Sequence, residues 1–209
     1  MKYIVGDIGN TLTKICLLNN NFYITKTYNI ETSKILKSNN LKSLLKKLLK
    51  KKTNKKILFS SVVPSVYKQI KFLIKKKGFR TYEIKELKIK KLIKFNIKKL
   101  NELGSDRIAN AIASFSLHKS NCLVIDFGTA TTFDIILKSG SYEGGVIAPG
   151  VKTSICNLKN STALLPNFNL KANSKRYGKN TKEALNAGFL WGYQGLINNI
   201  IKKISLNGK

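Results

Sequence analysis

Two stretches of this chain follow one pattern. Tyr3-Ile4-Val5-Gly6-Asp7-Ile8-Gly9-Asn10-Thr11 and Leu123-Val124-Ile125-Asp126-Phe127-Gly128-Thr129-Ala130 each run from apolar residues into Asp, an apolar residue, Gly and small or polar residues. A second apolar segment follows in both, Ile15–Leu18 and Phe133–Leu137. The repetition reads as an internal duplication, and it constrains the fold strongly. Twice, a buried strand must reach a tight glycine turn and return as another strand. The expected fold is therefore α/β, with two similar halves spanning residues 1–115 and 116–209, the second beginning near the end of a helix.

The turns also limit the chemistry. Glycine lets a ligand approach the backbone closely, and successive N–H groups at such a turn cradle phosphate oxygens. A carboxylate at the strand end repels phosphate, so its place there is explained by a cation that binds both. The chain has only four aspartates, Asp7, Asp106, Asp126 and Asp134, and each lies beside a glycine or in a threonine-rich turn. Acids this scarce and this clustered point to cation and phosphate chemistry.

Between the turns, hydrophobic periodicity supplies the scaffold. Strands are expected at 2–7, 12–18 and 22–28, as an antiparallel meander. Leu41, Leu44, Leu45, Leu48 and Leu49 share one face of a helix over 41–52, with lysines opposite. A strand at 55–63, a helix at 65–77 started by Pro64 and closed by Gly78, and a strand at 79–84 make a parallel strand–helix–strand unit. Residues 85–101 show no clear period. A helix opens at Gly104-Ser105-Asp106-Arg107, and the single histidine, His118, falls near its end as a solvated residue. In the second half, a strand at 142–150 and helices at 151–165 and 182–204 complete the expectation.

Composition excludes several classes. No uncharged apolar run is long enough to span a bilayer, and the first residues lead straight into a strand with no signal-like segment. Three scattered cysteines, Cys16, Cys122 and Cys156, suit buried reduced thiols and a cytoplasmic setting. There are 39 Lys+Arg against 10 Asp+Glu, a net charge of +29. The excess is almost all lysine interspersed with Asn and Ile, as a compositional bias toward A and T would produce. Arginine, the better reader of bases and phosphates, occurs only at positions 80, 107 and 176. Nucleic-acid binding therefore rests on charge alone, although that charge draws anionic ligands.

The motifs together resemble type III pantothenate kinase, within the superfamily of actin, sugar kinases and heat-shock chaperone ATPases. The resemblance rests on Asp7–Thr11, Ser60–Pro64, Gly104–Arg107, Asp126–Thr132, Gly144–Gly150 and Gly178–Thr181, in the family's order. It implies two ribonuclease-H-like halves with the active site in the cleft between them. It implies ATP-dependent phosphorylation of pantothenate to 4′-phosphopantothenate, the first step of coenzyme A biosynthesis, by a homodimer.

Residue by residue, the resemblance places ATP on Asp7, Ile8, Gly9, Asn10, Thr11, Leu12, Thr13 and Lys14, with Mg²⁺ near Asp7, and on Thr129. Asp126 matches a site for a monovalent cation, K⁺ or NH₄⁺. Gly104, Ser105, Asp106, Arg107 and Thr181 match pantothenate contacts, and Asp106 the general base. The residues support that role: a carboxylate in a first helical turn beside Arg107 stays ionised and can accept a hydroxyl proton. Thr181 reads equally as the N-cap of the last helix.

Two departures stand out. Ile97 occupies the place of a tyrosine that contacts pantothenate in the family. The family also continues into a strand ending in Thr-Gly-Gly and a further helix, so the second half is expected to be C-terminally incomplete. Three other readings follow: a regulatory homologue without kinase activity, a kinase for another small hydroxyl substrate, and a nucleic-acid binder.

Overall fold

A computed structural model describes residues 1–35 and 39–206. The described chain forms two compact units, one of Met1–Val124 with Asp134–Gly144, the other of Ile125–Phe133 with Gly145–Lys209.

The first unit begins with β1 (Tyr3–Ile8), β2 (Leu12–Leu18) and β3 (Ile24–Glu31), paired antiparallel in sequence. Alternation sets the buried face, with Ile4, Ile8 and Ile15 at most 3% exposed. β3 starts at Ile24 rather than Phe22. The Asn19 side chain accepts the amides of Asn21 and Tyr23, and Phe22 turns to φ 62°. A short α1 (Thr32–Ile35) and α2 (Asn39–Leu48) follow. Leu41, Leu44, Leu45 and Leu48 are buried as the periodicity requires. The helix ends earlier than expected because the Thr53 hydroxyl takes the Leu48 carbonyl at 2.9 Å.

Next come β4 (Lys56–Ser61), α3 (Pro64–Lys75) and β5 (Arg80–Glu83). Pro64 opens α3, Val66, Ile70 and Ile74 are buried along one side, and Gly78 follows with φ 74°. β4 runs parallel to β1, and β5 parallel to β4. The sheet order β3-β2-β1-β4-β5, a three-stranded meander followed by two parallel strands, is ribonuclease-H-like. Phe59 of β4 is fully buried and its ring lies where a Cβ on Gly6 would stand.

The stretch 85–101, where no period was legible, falls within three 3₁₀ turns (Ile84–Glu86, Ile89–Lys91, Leu100–Glu102) and the two-residue β6 (Lys94–Phe95). Their order comes from packing. Ile84, Ile89, Ile93 and Leu103 are buried in a second cluster with Ile108 and Ala111, and Ile97 packs against it. Ile108 and Ala111 belong to α4 (Ser105–His118), which leaves His118 exposed at its end.

β7 (Cys122–Phe127), β8 (Ala130–Leu137) and β9 (Ser141–Pro149) repeat the opening meander. Links of two and three residues can join only antiparallel neighbours. The second sheet is ordered β6-β9-β8-β7, so β7 has a neighbour on one side only among the described residues, whereas its counterpart β1 has two. In the second unit the chain continues through α5 (Val151–Asn160) and α6 (Thr181–Leu206). Helix α5 stops five residues short of the expectation, at Ser161, before the irregular stretch that holds Pro166. The cysteines are free thiols but not deeply buried: Cys16 and Cys122 are half-buried on strands, and Cys156 lies on the outward side of α5. No described helix is long and apolar enough to cross a membrane.

Candidate active site

The first hairpin turn is compact. Gly9 N–H donates to Leu12 O at 3.1 Å, so Asn10 and Thr11 form an exposed tip. A Cβ on Gly9 would stand 3.0 Å from Leu12 O, a tight contact in this turn. Asp7 is half-buried at the end of β1, paired with Lys14 on β2 and Ser60 on β4. Ile8 and Thr13 face inward and are fully buried, so their share in any ligand site is limited to backbone groups. Asn10, Thr11 and Lys14 are the exposed side chains of this stretch; Leu12 is half-buried.

The second hairpin is built alike. Gly128 N–H donates to Ala130 O at 3.0 Å and Thr129 is exposed at the tip, with Asp126 half-buried at the strand end. Gly150, which caps α5, is so close that a Cβ there would overlap the carbonyl oxygens of Gly128 and Thr129. The Thr131 and Thr132 hydroxyls are buried without a hydrogen-bond partner.

In the first unit, α4 starts with Gly104 as its N-cap residue and Asp106 in its first turn. Asp106 Oδ1 accepts the Arg107 amide at 2.8 Å. The carboxylate lies where a Cβ on Gly104 would be, so the glycine makes room for it. Ser105 is buried. Arg107 turns to Asp134 of β8, with Nε donating to Oδ1 at 2.8 Å and Nη2 at 2.7 Å from the same oxygen. Asp134 is fully buried and also accepts the Tyr142 hydroxyl at 2.7 Å. Burial works against the guanidinium charge, but the hydrogen bond and charge of Asp134 outweigh it and raise the Arg107 pKa. Burial, reinforced by Asp134, raises that of the Tyr142 phenol.

Asp134, expected with the other three aspartates at a cation or phosphate turn, is instead the fully buried partner that, with Tyr142, organises the first turn of α4. One signal was present: an acid inside the apolar run Phe133–Leu137 needs a buried partner.

Thr181 opens α6 but does not cap it. Asn180 Oδ1 accepts the Glu183 amide at 3.0 Å, while Glu183 accepts the Lys179 amide and the Asn180 side-chain amide, each at 3.0 Å. These bonds, that of the Lys179 amide first, hold the Glu183 carboxyl below its usual pKa. Thr181 is left exposed, on the wall of an apolar cavity of about 610 Å³ with Ser154, Phe189 and Tyr193.

The donor sets suit hard cations. Ser60 Oγ is buried without a hydrogen-bond partner, on the residue registered beside Asp7. One carboxylate and a hydroxyl, completed by substrate phosphate oxygens, fit Mg²⁺. No cluster of three His, Cys, Asp or Glu occurs among the described residues.

A ribonuclease-H-like sheet with an Asp-headed glycine hairpin, the hairpin's repeat, and an aspartate at a helix start define an α/β protein with two turns of the phosphate-binding kind. The comparisons narrow the class. The family model for type III pantothenate kinase matches residues 3–203. The type III pantothenate kinase of Pelagibacter ubique is 47% identical over 207 residues, 99% of this chain and 82% of that protein. That of a Sulfurihydrogenibium species is 35% identical over 208 residues, 95% of this chain and 80% of that protein. The crystal structure of a Baf family transcriptional activator from Campylobacter jejuni shares the fold, with a TM-score of 0.58 at 21% identity over 94% of this chain and 78% of the other. The chain belongs to the type III pantothenate kinase family.

Proposed function

We propose that this protein transfers the γ-phosphoryl group of ATP to the primary hydroxyl of pantothenate, giving ADP and 4′-phosphopantothenate in the first step of coenzyme A biosynthesis. The family match over residues 3–203 carries the reading. The Asp7–Lys14 hairpin binds ATP phosphates through backbone N–H groups and the Asn10, Thr11 and Lys14 side chains, with Thr129 contacting ATP from the second hairpin. Asp7 holds Mg²⁺, which neutralises charge on the phosphates when bound, and Asp126 holds K⁺ or NH₄⁺.

The acceptor side is Gly104–Arg107 and Thr181. The pantothenate hydroxyl oxygen bonds to the γ-phosphorus, the bond to the ADP oxygen breaks, and the hydroxyl proton passes to Asp106. Asp106 Oδ1 already accepts the Arg107 amide, so Oδ2 is the oxygen for that proton. Arg107 stays charged at any working pH because Asp134 stabilises it. The enzyme works in the cytoplasm as a homodimer, a setting supported by its three free thiols.

Ile97 favours a second reading, the same transfer to another small hydroxyl acceptor. Its side chain packs into the apolar cluster around α4, where it offers no hydroxyl.

Steady-state assay with ATP, Mg²⁺, K⁺ and pantothenate tests the proposal. Turnover is expected, and Asp106→Asn should lower kcat by about 10²–10⁴ with an unchanged circular dichroism spectrum. Absence of turnover with pantothenate, but turnover with another primary alcohol, would favour the second reading.

A further inference from the structure

The two hairpins share a device outside their motifs. In the first, Thr32 stands just past the end of β3, where its amide extends the β2–β3 ladder by donating to Thr11 O at 3.0 Å. Its hydroxyl donates to Gly9 O at 2.7 Å. The Thr13 and Thr32 hydroxyls are 3.0 Å apart. A hydroxyl has one proton, and that of Thr32 is on Gly9 O, so Thr13 is the donor of this bond. Thr32 therefore holds the turn at Gly9, Thr11 and Thr13. It is only 4% exposed and Thr13 is fully buried.

In the second hairpin, Thr153 lies in the first turn of α5, just past β9. Its hydroxyl donates to Thr129 O at 2.8 Å, at the tip of the turn. In each unit, a threonine at the start of the helix after the third meander strand donates its hydroxyl to a carbonyl of the turn between the first two strands. The two threonines belong to no motif used above, and each contact lies within one unit.

We propose that Thr32 and Thr153 are positioning residues that preorganise the two nucleotide-binding turns, so that their N–H groups meet the ATP phosphates without first being ordered. A turn whose carbonyls are tied back keeps its amides aimed outward. It then loses less conformational entropy when the nucleotide binds. The proposal rests on the ATP-dependent kinase reading.

The test compares the unmutated protein with Thr32→Val, Thr32→Ser, Thr153→Val and Thr153→Ser. Valine keeps the shape and removes the hydroxyl; serine keeps the hydroxyl. Thr32→Val should raise KM for ATP about tenfold, the worth of one or two hydrogen bonds, and leave KM for pantothenate within about twofold. Thr153→Val should do the same to a smaller extent, and each serine variant should restore the unmutated value. Amide exchange gives a readout independent of turnover. Without nucleotide, the Gly9 amide should exchange slowly in the unmutated protein and about tenfold faster in Thr32→Val.

A valine variant that raises both KM values equally, or that lowers only thermal stability, makes the threonines merely structural and overturns the proposal. Rapid Gly9 exchange in the unmutated protein overturns it even if Thr32→Val does not fold. If the unmutated protein shows no turnover while the exchange results hold, the kinase reading fails and the latch stands.

Discussion

Asp106 depends on neighbours that a motif does not reveal. Gly104 is needed because the carboxylate lies in its side-chain space. Its φ of −59° suits any residue, so Gly104→Ala should change stability by no more than about 1 kcal/mol. The added Cβ displaces Oδ1 from the Arg107 amide, and kcat should fall about tenfold or more, measured at saturating substrates beside a melting curve. Tyr142 gives a pH signature. Its pKa is raised on folding by burial and by Asp134, so the folded state retains the phenol proton that the unfolded chain releases near pH 10. This contribution is complete below pH 10 and is lost as pH rises toward the folded value. Denaturant midpoints should therefore decline above pH 10, with a shallower decline in Tyr142→Phe. Of these residues, Asp106 was legible from its motif, whereas the role of Asp134 was not, because its partners are 27 and 8 positions away in sequence.

Strands with clear alternation and helices with a leucine or isoleucine stripe were legible as elements. β1, β2, α2 and α3 lie where their apolar periods put them, with ends shifted by local hydrogen bonds such as Thr53 to Leu48. The segment 85–101 was not legible. Its isoleucines are buried from short 3₁₀ turns and a two-residue strand, which have no period long enough to recognise. At α6 the local pattern allowed Thr181 as the cap, but the structure uses Asn180, whose side chain accepts the Glu183 amide and donates to the Glu183 carboxylate. Asn180→Ala should cost about 1 kcal/mol in chemical denaturation. Thr181→Ala should leave stability nearly unchanged and raise KM for pantothenate.

For the whole molecule, the excess of lysine sets long-range behaviour. A net charge of +29 attracts ATP from a distance, and salt screens that attraction. Raising ionic strength from low to physiological values should increase KM for ATP more than KM for pantothenate, which carries less charge. A salt-independent KM for ATP would show that binding depends only on short-range contacts in the turns.

The sequence alone determined the class of fold and the positions of its two glycine turns. Periodicity is a property of neighbouring residues, and Asp-x-Gly at a strand end has few uses other than a tight turn with exposed amides. Tertiary structure alone decided what holds those turns and the first turn of α4 in place. Thr32 on Gly9, Thr153 on Thr129 and Asp134 on Arg107 are bonds between distant segments. Such pairs depend on how strands and helices come together, and a linear reading of one chain does not contain that information.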